Sequence, residues 1–271
     1  MNDRRIQQLP IIDSLGRIVD LALLKDLQKH AELPIQALIM AGGFGTRLRP
    51  LTETVPKPML PVGGRPLLEL TIERLTASGI RNVNVSTHYL PQKISEHFGD
   101  GTRFGVSMRY FQEDKPLGTG GALALLGEIT HTTLVLNGDI VTDLDFRAMA
   151  EFHREHDAAI TMAVANYDVR IPYGVVRHDG VFVTEISEKP VVSQFINAGI
   201  YLVEPRAQKH IRRDCVFNMT DLVESLVSRG ERVVVFPVSE YWIDVGQPAD
   251  YERVQRDVGA GRLKKAKSPT G

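Results

Sequence analysis

The sequence predicts a three-layer α/β fold with a mixed, mainly parallel sheet, followed by a half richer in strands. Three observations carry this expectation. From Gln36 onward, short apolar runs alternate with amphipathic stretches; several of those runs end in glycine or turn residues; and after Ala158 closely spaced strand patterns follow with few helices between them. The 271 residues are 43% hydrophobic and 24% charged, which is ample apolar material for a sizeable core.

Taken in order, Ala37-Leu38-Ile39-Met40 reads as a buried strand running into glycines. Pro66 to Leu75 has helical periodicity, with proline tolerated in the first turn and Gly79 as the stop. Asn82 to Ser86 alternates as a strand, Gln92 to Phe98 fits a short helix, and Met108 to Phe111 another strand. Gly120 to Leu126 reads as a helix, Thr133 to Asn137 as a buried strand, and Asp145 to His156 again as a helix. In the second half, Ile160 to Ala165, Gly174 to Arg177, Val181 to Ile186 and Gly199 to Val203 are strand candidates. Met219 to Arg229 is a helix, Val233 to Val238 a last strand, and Ala249 to Arg256 a terminal helix. The basic tail around Lys264-Lys265-Ala266-Lys267, within residues 259–271, has no periodicity and is expected to be disordered.

Several classes of function are disfavoured. A net charge of −1 argues against nucleic-acid binding through an overall basic surface. A single cysteine, Cys215, allows neither an internal disulfide nor a thiolate metal cluster. No apolar run approaches the roughly 20 residues of a membrane span, and no apolar signal core follows Met1, so a cytoplasmic enzyme is expected. His88, His97, His153 and His156 lack metal-ligand spacing and are expected at the surface.

The chemistry concentrates after the first strand of the α/β half. Ala41-Gly42-Gly43-Phe44-Gly45-Thr46-Arg47 places glycines where backbone N–H groups approach phosphate oxygens, and Arg47 adds a fork of donors. Lys57, between Pro56 and Pro58, is expected on a stiff, extended segment as a mobile cation for an α-phosphate. Leu48 stands where a dinucleotide fingerprint needs its third glycine, and no Gly-Lys-Ser/Thr is present, so neither that fingerprint nor a P-loop is met. Over Ala41 to Pro66 the sequence resembles the signature of the sugar-1-phosphate nucleotidyltransferases, Ala-Gly-Gly-x-Gly-Thr-Arg-Leu-x-Pro-Leu-Thr followed by Pro-Lys-Pro-Met-Leu-Pro-Val-x-Gly-x-Pro.

That resemblance implies a Rossmann-like, GT-A-like fold with a β-rich sugar-binding half, and transfer from an NTP to a sugar 1-phosphate with release of pyrophosphate. It implies Arg47, Lys57 and Asp139 as catalytic residues, and Asp139 and Asp244 as ligands of Mg²⁺. It implies Ala41, Gly42, Gly43, Gly45, Thr46, Gln112, Gly118 and Thr119 as nucleotide-binding, and Gly174, Glu188, Lys189 and Asn197 as sugar-phosphate-binding. The run Pro116-Leu117-Gly118-Thr119-Gly120-Gly121 is typical of the family's guanylyltransferases, so GTP is favoured over UTP or dTTP. Residues 1–33, with Leu9-Pro10-Ile11-Ile12-Asp13, a turn at Gly16, a second strand and a short helix through Leu27, resemble the end of a cystathionine-β-synthase-type motif, a combination similar to the glucosamine-1-phosphate guanylyltransferases. An N-terminal cap packed on the catalytic domain is the alternative reading. The catalytic domain is then residues 34–258, with homo-oligomers an expectation from relatives and no nucleic acid or membrane as partner. A sensor homologue lacking catalysis is disfavoured because Arg47, Lys57, Asp139 and Asp244 are all present.

Overall fold

The computed structural model describes residues 8–13, 16–23, 32–213 and 215–263. The helix through Leu27 and the basic tail from Lys264 lie outside the described residues. Near the front, β1 (Gln8–Ile12) and β2 (Ile18–Leu23) pair antiparallel around Gly16.

The main α/β unit begins with β3 (Gln36–Met40), then a small pair of strands, β4 (Pro61–Val62) and β5 (Arg65–Pro66). Next come α1 (Leu67–Ala77), β6 (Asn82–Thr87), α2 (Pro91–Phe98) and β7 (Ser107–Gln112). Helix α3 (Thr119–Ala124) leads to β8 (Thr133–Asn137), the short β9 (Ile140–Thr142) and α4 (Phe146–Glu155). The strand-rich part holds β10 (Ile160–Arg170), β11 (Val175–Asp179), β12 (Phe182–Ser187) and β13 (Val191–Val203). The chain closes with α5 (Pro205–Gln208), α6 (Met219–Ser228), β14 (Val233–Val238), β15 (Trp242–Asp244) and α7 (Pro248–Gly259).

The central sheet has seven strands in the order β14-β10-β13-β8-β3-β6-β7. All pairings are parallel except the two made by β13, so the sheet is mixed and mainly parallel. Strand alternation divides the core. Ala37, Ile39, Leu134 and Leu136 pack with α1 and α4 on one face, while Leu38 and Val135 pack with Leu123 of α3 and Leu222 of α6 on the other. Both faces are covered, which is why these strands read as continuous apolar runs. A third cluster joins Leu48, Leu60, Val141, Ile243 and Val254, and it fastens α7 and β15 beside β9. No helix among the described residues is long and apolar enough to cross a membrane.

Three expectations change. Strands β10 and β13 run well beyond the predicted Ile160–Ala165 and Gly199–Val203, because they pair with each other past the end of the sheet. Gly199 sits in the left-handed region (φ 68°) where their register shifts, and that break made the strand look shorter. Second, β9 and β15 pair antiparallel, although each is too short to leave a periodic pattern. Third, His153 is not at the surface but 4% exposed, on the buried face of α4.

Candidate active site

Strands β3 and β8 lie side by side where the chain order reverses, with β6 and β7 continuing on the other side of β3. Such a switch point opens a crevice beyond the carboxyl ends of the strands. Here it forms a cleft of about 310 Å³, lined by Ala41 to Phe44, Lys57, Pro58, Glu113, Gly118, Thr119, Asn137 to Asp139 and Asn218.

The glycine loop follows directly from the buried end of β3. Gly45 adopts φ 62°, the left-handed turn that starts the single 3-10 turn Thr46–Leu48. Gly42 serves close approach, since a Cβ there would lie 3.1 Å from Glu113 Oε1 and 3.3 Å from His88 Cβ. Thr46 and Arg47 stand outside the cleft lining. The Arg47 guanidinium reaches instead toward Gly246, where a Cβ would be 3.6 Å both from Arg47 Nη1 and from Asp244 Oδ1.

Lys57 is not on an extended segment, and its side chain is buried. It opens a 3-10 turn, Lys57–Met59, after the extended Pro56, and it is 7% exposed. Packing of Leu60 and Val62 into the third core cluster pulls this turn inward. The ammonium donates to Asp139 Oδ2 and lies 4.0 Å from Asp244 Oδ1.

The two carboxylates meet through the β9–β15 pair. Asp244 lies opposite Ile140, and Val245 N donates to Asp139 O at 3.0 Å. Asp139 Oδ1 and Asp244 Oδ1 are enclosed without a hydrogen-bond partner. Burial first, and then the Asp139 charge, push the Asp244 carboxyl upward, against the pull of Lys57 and Arg47. Two hard oxygens left unbonded on neighbouring carboxylates fit a hard divalent cation. Among the described residues no group of three or more His, Cys, Asp or Glu side chains completes a metal shell. Further ligands would then come from substrate phosphate and water.

Gln112 is not in the cleft; it is exposed at the end of β7, and its neighbour Glu113 lines the cleft instead. The Glu113 carboxylate accepts from Ser86 Oγ and from Leu117 N at 3.0 Å, which fixes its orientation. One residue beyond a strand, alternation no longer tells which side chain turns inward. Asn218 was also missed. Its Asn-x-x-Asp pattern signals only a helix cap, yet the α6 N-terminus packs so tightly on Gly118 that a Cβ there would lie 2.6 Å from Phe217 O. Thr119 Oγ1 accepts from Met219 N at 2.9 Å, so this hydroxyl joins the same contact.

The sugar-side residues divide. Asn197 Oδ1 accepts from Gly199 N at 2.9 Å, and Gly199 abuts Asn137 of the cleft wall. Gly174 and Glu188 are neighbours at the base of the β11–β12 hairpin, where a Cβ on Gly174 would be 3.0 Å from Glu188 Oε2. Lys189 follows in the left-handed region (φ 47°). These three are exposed and do not line the cleft.

The pattern of the Nucleotidyl transferase family matches residues 36–261. The chain belongs to this family. It is 36% identical over 227 residues to the mannose-1-phosphate guanyltransferase of Candida albicans, covering 80% of this chain and 62% of that protein. The chain thus spans about three fifths of the length of the curated relatives it matches. Among solved structures, HddC from Yersinia pseudotuberculosis complexed with GMP-PN aligns with a TM-score of 0.65 at 26% identity, over 83% of this chain and 99% of that one. A Bacillus anthracis protein, provisionally assigned as a glucose-1-phosphate thymidylyltransferase and solved with sucrose, aligns with a TM-score of 0.68 at 26% identity, over 82% and 94%.

Proposed function

We propose that this chain transfers a nucleotidyl group from an NTP, with GTP preferred, to a sugar 1-phosphate, giving a nucleotide sugar and pyrophosphate. The observation that carries this reading is the meeting of Lys57, Asp139 and Asp244 beside a glycine-lined cleft. An oxygen of the sugar phosphate attacks the α-phosphorus, and the bond from that phosphorus to the pyrophosphate oxygen breaks. The attacking oxygen is already anionic, so no general base is needed. Catalysis then consists of aligning two polyanions and neutralising charge at the α-phosphate.

In this reading the Gly42 to Thr46 backbone and Arg47 hold the leaving pyrophosphate, and Lys57 holds the α-phosphate. Asp139 and Asp244 hold Mg²⁺, which offsets phosphate charge when bound. Gly174, Glu188, Lys189 and Asn197 take the sugar phosphate, with ligand drawing the hairpin of the first three toward the cleft. Glu113 supports the choice of GTP. A carboxylate only accepts hydrogen bonds, and guanine alone of the four bases presents two adjacent donors, N1–H and N2–H2, on one edge. Mannose 1-phosphate, the substrate named for the fungal relative, is the first candidate sugar. The catalytic unit, residues 34–258, would act in the cytoplasm with residues 1–33 as an appendage.

The test is a pyrophosphate-release screen crossing GTP, ATP, UTP and dTTP with mannose, glucosamine, heptose and N-acetylglucosamine 1-phosphates, with and without Mg²⁺. Metal-dependent release with GTP is expected. Preference for UTP or dTTP would overturn the role of Glu113, and no release in any combination would favour a nucleotide-sugar sensor.

A further inference from the structure

Between β6 and α2, the turn of His88 and Tyr89 touches both the glycine loop and Glu113. Leu90 then takes the left-handed region (φ 48°), which a leucine rarely adopts, so contacts on either side must hold the turn. On one side, His88 Nδ1 lies 2.7 Å from Glu113 O. A carbonyl only accepts, so Nδ1 carries a proton and donates to that oxygen. On the other side, the Phe44 ring meets the His88 ring edge-on, with centroids 5.1 Å apart and planes at 89°, and lies 5.8 Å from the Tyr89 ring. Tyr89 Oη donates to Glu53 O at 2.7 Å, in the segment that follows the glycine loop.

Phe44 is the one side chain that interrupts Gly42, Gly43 and Gly45, and it lines the cleft. A phosphate grip made of backbone N–H groups has no need of an aromatic ring. Glycines give such a loop more freedom than any other residue, however, and the ring is a handle by which a neighbour can hold it. His88 is that neighbour. It is half-buried and not at the surface, and a Cβ on Gly42 would lie 3.3 Å from His88 Cβ and 3.1 Å from Glu113 Oε1. Glu113 is itself 7% exposed, with its carboxylate fixed by Ser86 Oγ and Leu117 N. The His88 hydrogen bond adds a restraint at its carbonyl.

We propose, resting on the nucleotidyl-transfer reading above, that His88 is a positioning residue that joins base reading to the triphosphate grip. Its two contacts have separate effects. The hydrogen bond to the Glu113 carbonyl sets the base reader, and so the preference among bases. The edge contact with Phe44 sets the glycine loop, and so the affinity for any triphosphate. Asparagine separates the two: its Nδ2–H can donate to the carbonyl as imidazole Nδ1–H does, but it brings no ring.

Isothermal titration calorimetry of the full chain with GTP, ATP, UTP and dTTP tests this directly. Phe44→Leu is expected to weaken binding of all four by about 2–10-fold, the worth of an aromatic pair, with base preference unchanged. His88→Asn should match it, and the double variant should bind no more weakly than either single one. His88→Ala should in addition lower the preference for the favoured base about 5-fold. The KM for sugar 1-phosphate should stay within about 2-fold of wild type throughout, which a general loosening of the fold would not allow. Thermal melts establish that each variant is folded, and the exposed Phe44→Leu together with His88→Asn carries the test if His88→Ala is not. Variants that bind all four nucleotides as the wild type does overturn the proposal. So do a His88→Asn protein that loses base preference as His88→Ala does, and Phe44→Leu and His88→Asn effects that add. A wild type that binds nucleotide but releases no pyrophosphate removes the transfer reading alone; one that binds none of the four removes both.

Discussion

Two polar clusters lie at opposite ends of the central sheet, each built from a basic side chain and carboxylates. At the carboxyl ends of the strands, Lys57 faces Asp139 and Asp244, and one oxygen of each carboxylate has no hydrogen-bond partner. At the amino ends, both ring nitrogens of His153 are engaged, by Thr161 Oγ1 at 2.7 Å and Glu204 Oε1 at 3.0 Å. Thr132 Oγ1 donates to the same Glu204 oxygen at 2.5 Å. Similar chemistry thus has opposite completeness. A satisfied buried network holds strands and helix together, whereas an unsatisfied one is a place that expects a ligand.

The sharpest way to break this contrast is to remove the basic side chain of each cluster. Lys57→Ala is expected to lower kcat by about 10²–10³-fold with little change in the KM for nucleotide, because its charge is needed most where phosphate charge develops. Steady-state kinetics with normal kcat and only a raised KM would remove Lys57 from the chemistry. His153→Ala should do the reverse. It strips partners from Thr161 and Glu204 and should cost about 2–3 kcal/mol in urea unfolding, while kcat/KM stays within about 2-fold of wild type.

Much of the carboxyl-end cluster was legible in the sequence, and the amino-end cluster was not. The glycine signature, Lys57, Asp139 and Asp244 are short motifs with an anion-binding logic, and the fold gathers them around one cleft. What sequence could not supply was the means of gathering. The β9–β15 pair that sets Asp244 against Ile140 is three residues per strand, below any periodic signal. The buried state of Lys57 likewise comes from packing of its turn and not from the flanking prolines. His153 carries no motif; its partners come from β10 and from the residue after β13, so only the tertiary fold could show that it is buried. Glu113 and Gln112 differ by one position past a strand end, where the alternation that guides such choices has run out.

Charge removal at the unsatisfied cluster sharpens the comparison further. Asp244 Oδ1 is enclosed although the side chain as a whole is 45% exposed, and burial beside Asp139 raises its pKa. Asp244→Asn should therefore raise the melting temperature in metal-free buffer. Solvent screening of the exposed half holds the gain below about 1 kcal/mol. The same variant should lose the stabilisation that Mg²⁺ gives the wild type. Differential scanning fluorimetry in EDTA and in Mg²⁺ reads both effects, and a variant less stable than wild type in EDTA would show Asp244 to be structural.

The smallest expected effect concerns protonation at the satisfied cluster. Burial, foremost, lowers the pKa of His153; the hydrogen bond and charge of Glu204 and the charge of Asp157 oppose this, and Arg206 adds to it. The folded protein therefore resists a proton that the unfolded chain accepts below about pH 6.5. Stability from this group is complete above that pH and is lost as the pH falls toward the depressed folded value. A His153→Gln variant has no such proton to take up. Its deficit relative to wild type should be largest near neutrality and should narrow between about pH 7 and pH 5. Urea unfolding of the pair across that range measures the narrowing. A deficit that widened on acidification would mean that His153 is held as a cation by Glu204, and the cluster would then be an ion pair and not a neutral brace.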